Sequence, residues 1–154
     1  MIQAPSLLRR VLVVVGGGAL LLAMAVDALA VVGRHTGIPL LGSIEIVQAA
    51  VLVSGGMALL MATLAGVHAR VHLLVDRAPP LLRDVLARLG LACGAVLYLG
   101  LLVASLWIAA DLWNGFEESE LLRLPYRPLR VFTAAAAFAL LLAFLVQALG
   151  RRPR

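Results

Sequence analysis

Lysine is absent from this sequence: all 13 of its basic residues are arginine, set against only eight acidic ones. Charged residues of both signs make up 14% of the 154 positions, while 63% are hydrophobic and the mean hydropathy is +1.05. So little charge excludes a water-soluble domain of this size, which needs a far more polar surface. A net charge of +5 suggests nucleic acid only if the arginines gather on one solvated face. Here they stand in short runs between apolar stretches, the pattern of membrane topology, so no nucleic-acid partner is expected. A single cysteine, Cys93, excludes an intramolecular disulfide and any CxxC or zinc pattern, and reads as a small apolar packing residue. HExxH, P-loop and glycine-rich nucleotide motifs are missing, as is a nucleophile paired with a base. None of these motifs therefore points to a catalytic centre, a cofactor or a metal site.

What the sequence has is length without charge. The stretches 11–33 (interrupted only by Asp27), 46–67, 89–110 and 131–150 are charge-poor. A hydrocarbon core of about 30 Å is crossed by roughly 20 apolar residues of helix, and a helix satisfies its own backbone polar groups in lipid. The expected fold is all-α and integral to the membrane: one domain over 1–154, with four transmembrane helices at about 11–33, 45–67, 86–113 and 129–149. Arg9 and Arg10 before an apolar run resemble a signal peptide, and Ala23-Met24-Ala25 offers a small-x-small pattern. The run is longer than a signal core and further spans follow, so the first helix is expected to stay as an anchor.

Arginine placement predicts the orientation. With both termini cytoplasmic, Arg9, Arg10, Arg70, Arg77, Arg83, Arg88, Arg151, Arg152 and Arg154 lie inside, nine in all, against four outside (Arg34, Arg123, Arg127, Arg130). Trp107, Trp113 and Phe116 then sit near the outer end of the third span, where an aromatic belt belongs. Between the second and third spans, Val71, Leu73, Leu74 and Val75 alternate with Arg70, His72, Asp76 and Arg77. This predicts a short interfacial segment that ends at Pro79-Pro80. Asp84 and Arg88 form an i,i+4 pair just beyond.

Several residues invite chemistry. Asp27 is an acid inside a span and Glu45 opens the second; pairing with Arg34 or with a partner's cation explains Asp27 better than a mid-membrane ion site. His68 and His72 share a helix face, but His35 falls on the far side of the membrane, against a transmembrane bis-histidine haem; headgroup anchoring is the simpler reading. Ala50, Ser54, Ala58, Ala62 and Gly66 recur every fourth residue, and Gly90 with Gly94 forms a GxxxG. Both suit close helix packing, inside the chain or against another.

The ordered set Val32-Gly33-Arg34, Ser43-Ile44-Glu45, His72-Leu73-Leu74-Val75-Asp76 before Pro79-Pro80, and Leu124-Pro125-Tyr126 with Pro128 resembles the small membrane subunit, DctQ-type, of tripartite ATP-independent periplasmic (TRAP) transporters. The resemblance covers roughly residues 8–149; Gly42-Ser43-Ile44 stands where that family commonly carries tryptophan. It implies a non-catalytic, multi-pass subunit of the bacterial inner membrane, embedded in the lipid bilayer and bracing a large permease subunit. That permease would take up an organic acid, delivered by a periplasmic substrate-binding protein, by sodium symport. Arg34, Glu45, His72, Asp76 and Pro128 are then expected to serve the partner interface or membrane placement. Two other classes stand beside it: a stand-alone multidrug-type exporter acting as a homodimer, with Asp27 in its chamber, and a haem-binding redox subunit.

Overall fold

The structure, a computed structural model, describes residues 6–65, 79–115 and 117–150. They form four helices: α1 (Ser6–Thr36), α2 (Ser43–Ala65), α3 (Pro80–Asp111) and α4 (Tyr126–Gly150). All four are long and apolar enough to cross a membrane. No strand occurs among the described residues; one isolated bridge joins Glu118 to Pro125. The interfacial segment expected between the second and third spans lies outside the described residues.

The helices run past the charge-free stretches because a helix continues into the headgroup zone, where arginine is tolerated. Pro80 occupies the first turn of α3, after an extended Pro79 (φ −54°, ψ 151°). A first-turn proline loses no helical hydrogen bond, so this pair opens the helix it was expected only to precede. At its other end α3 stops at Asp111, short of residue 113; Leu112 N–H turns back onto the Ile108 carbonyl at 3.1 Å and Trp113 N–H onto the Ala110 carbonyl at 3.4 Å. α1 ends on Gly37, whose φ of +79° suits glycine, and Ile38 N–H reaches back to the Gly33 carbonyl at 2.9 Å. A side chain at Gly33 would strike the Ile38 carbonyl, so this glycine lets the chain fold over its own helix end.

α1 packs along α2, α2 along α4 and α4 along α3, so the helices stand in the order α1–α2–α4–α3. Gly16 receives Met57 between α1 and α2, and Leu12, Ala23, Val26 and Ala30 line the rest of that seam. Gly56 faces Phe132 across α2 and α4. Between α3 and α4 lies the main apolar cluster: Leu91, Tyr98, Leu140, Leu141 and Phe144, with the Tyr98 and Phe144 rings 5.4 Å apart. Large apolar side chains elsewhere point outward, among them Trp107, Leu97 and Leu149, as expected of helices solvated by lipid. Cys93, expected to pack inside, is exposed on α3, because that helix buries only the stripe that meets α4.

Candidate assembly site at the loop end

The two connections 37–42 and 112–125 meet at one end of the molecule, here the loop end. Gly42 prepares it: its φ is +77°, and its carbonyl accepts the first N–H groups of α2, from Glu45 at 3.1 Å and Ile46 at 3.3 Å. A side chain at Gly42 would run into Leu122, so glycine here also admits the longer connection.

Glu45, in the first turn of α2, is then aimed at that connection. Its carboxylate accepts Leu121 N–H and Leu122 N–H, each at 2.8 Å, and the Ser119 hydroxyl at 2.7 Å. Ser119 in turn accepts Leu124 N–H at 2.9 Å, while Ser119 N–H donates to the Leu124 carbonyl at 3.0 Å. One carboxylate therefore fixes a closed turn over 119–124, in which Arg123 adopts a left-handed conformation (φ 52°). The N-terminal position on α2 favours the anion, and hydrogen bonds to a charged acceptor are the stronger kind.

Two contacts fasten the same connection to α4. Arg130 pairs with Glu117, and the Arg127 guanidinium lies 5.9 Å from the centre of the Trp113 ring. At the opposite end of the helices, Gln147 donates to the Thr63 carbonyl at 2.8 Å, and Thr63 is fully buried. α2 and α4 are thus pinned by polar contacts at both ends, with Gly56 and Phe132 between.

Because α3 leans on α4 and not on α2, a cleft of about 460 Å³ remains at the loop end. Gln48 and Leu52 of α2, Ser105 and Ile108 of α3, and Leu129 and Thr133 of α4 line it, with Glu45 and Arg130 also on its wall. Neither charge there is idle, since each is engaged by the loop.

The residues singled out in the sequence are not one cluster. Glu45 is the pin just described. Pro128 is exposed in the first turn of α4, where its missing N–H has no helical partner to lose. Arg34 is exposed in the last turn of α1 and makes no ion pair among the described residues. His72 and Asp76, with His68, lie outside the described residues. Asp27 is exposed on α1 and also lacks a hydrogen bond or ion pair among the described residues. The pairing of Asp27 with Arg34 is not made: seven residues of helix separate them by about 10 Å. An aspartate inside a span without a partner is costly in lipid.

Ser119, Glu117, Arg130, Gln147 and Thr63 were not anticipated from the sequence. The Glu117–Arg130 spacing places an acid in a loop and a base in the helix that follows it, a signal visible only once the loop's closure is known. The comparison with known families decides the class. The family described as tripartite ATP-independent periplasmic transporters, DctQ component, matches residues 23–154. The chain belongs to this family. As a DctQ-family protein with four helices of spanning length, it is the small permease component of a TRAP transporter, a multi-pass protein of the bacterial inner membrane and not an enzyme. No curated protein and no solved structure matches this DctQ-family chain.

Proposed function

We propose that this DctQ-family chain braces the large permease subunit of its transporter, which takes up an organic acid by sodium symport after a periplasmic binding protein delivers it. The family match over residues 23–154 carries this reading. The helix arrangement supports it. Four continuous helices in the order α1–α2–α4–α3 make a broad surface against which a second membrane subunit can lie.

In this reading the loop end faces the periplasm and both termini face the cytoplasm, as the nine-to-four division of arginines indicates. The connection held by Glu45 is then the element within reach of the binding protein. Arg34, Glu45, His72, Asp76 and Pro128 serve assembly or membrane placement.

The test is an affinity pull-down of the tagged chain from native membranes in mild detergent, with mass spectrometry of what accompanies it. A large multi-spanning permease recovered at near-equal amount is the expected result. A clean homo-oligomer that moves substrate by itself in liposomes would overturn the reading.

A further inference from the structure

Asp27 is the one acid of the described helices that stands well inside a span without a partner among the described residues. It lies nine residues before the end of α1, about 14 Å along the axis. Arg34 marks the headgroup level about 10 Å further along the helix, and an aspartate stem is far too short to carry its charge that distance. The position is also not a seam of the chain's own packing: Ala23, Val26 and Ala30 bury the adjoining face against α2, while Asp27 stays exposed beside them.

The helix repeat extends this position into a stripe. Val13, Leu20, Met24 and Val31 fall at the spacings of −14, −7, −3 and +4 from Asp27, and all four are exposed. Gly17, ten residues before Asp27, has open space above it, so another helix can approach the backbone there. Lipid tails offer nothing to a carboxylate. A second copy of this chain, joined symmetrically through the same stripe, would bring Asp27 against Asp27, two like charges in a low dielectric. A different polypeptide with a cation at matching depth satisfies the charge.

We infer that the exposed stripe of α1 through Leu20, Asp27 and Val31 is the surface on which the large permease subunit docks, and that this subunit presents an arginine or lysine to Asp27. The inference rests on the function proposed above. Arg34, two turns further on, is exposed on the same side of the helix and marks the headgroup level, which sets the partner's cation about 10 Å deeper.

The experiment uses the full-length tagged chain in native membranes together with its large subunit. Asp27→Asn keeps the shape and removes the charge; Asp27→Leu removes the polar group as well. Recovery of the large subunit per small subunit is expected to fall several-fold for Asp27→Asn and by about tenfold or more for Asp27→Leu, because each strands the partner's cation. In a chain that keeps Asp27, a photo-crosslinking residue at Leu20 or Val31 is expected to capture the large subunit, whereas one at the exposed Leu97 of α3 is not. Undiminished recovery with both substitutions overturns the inference, as does crosslinking from Leu20 and Val31 to lipid alone or to a second copy. If the unaltered chain recovers no permease, the function proposed above fails, which is a different outcome from recovery that ignores Asp27.

Discussion

Glu45 and Gln147 are both polar side chains at an end of the α2–α4 pair, yet different amounts depend on them. Glu45 receives three donors, two of them backbone N–H groups that have no other acceptor in the turn. Removing it takes away the one acceptor that closes the turn and leaves those donors to water. Gln147 donates one bond to a helix carbonyl, and interhelical bonds of that kind in membranes average about 0.6 kcal/mol. Glu45→Ala is therefore expected to lower the unfolding temperature in detergent more than Gln147→Leu, and to make the 117–125 connection the first point of proteolytic cleavage. Equal shifts for the two substitutions would show that the turn does not depend on the carboxylate. The sequence exposed Glu45 as an acid opening an apolar helix, but not its partners. Ser119 lies 74 residues away and the other donors are backbone amides, which carry no side-chain signature. The Gln147–Thr63 bond spans 84 residues and is hidden for the same reason.

Helices were legible as elements and their neighbours were not. Length without charge is enough to mark a span, because the requirement comes from the bilayer. Which helix lies beside which depends on side-chain fit, and small residues occur on every helix of this chain. The GxxxG of α3 shows the difference: Gly94 seats the Phe144 ring, while Gly90 has nothing near it. A repeat read as one packing face is thus one contact and one open position. Gly94→Leu is expected to destabilise the protein by about 1–3 kcal/mol through overpacking against Phe144. Gly90→Leu should stay within about 0.5 kcal/mol of the parent. Pairing Gly94→Ala with Phe144→Leu should recover much of the loss from Gly94→Ala alone, since the two residues share one contact. Thermal unfolding in detergent reads all five variants, Phe144→Leu alone included; a double substitution no better than the sum of its parts would place the strain elsewhere.

For the whole molecule, the bilayer supplies a coordinate that helix packing does not contain. The same four helices fit together either way up, and only the distribution of arginine breaks the symmetry. Arg9 and Arg10 begin α1 at the end opposite Glu45, Arg151, Arg152 and Arg154 follow α4 in the sequence, and insertion keeps such clusters in the cytoplasm. The loop end carries arginines too, but among the described ones Arg130 is paired with Glu117 and Arg127 sits over Trp113, so the contacts that hold them there are internal to that end. Orientation is therefore expected to follow the terminal clusters. With Cys93 replaced by serine, a cysteine introduced at the exposed Leu121 leaves the backbone N–H to Glu45 in place. It should react with a membrane-impermeant maleimide in intact spheroplasts, whereas a cysteine at Arg152 should react only in inside-out vesicles. The reverse pattern would turn the Glu45 turn toward the cytoplasm, out of reach of any periplasmic binding protein. The Asp27 stripe would keep its depth under either orientation, because that depth is fixed by its distance from the end of α1 and not by which side that end faces.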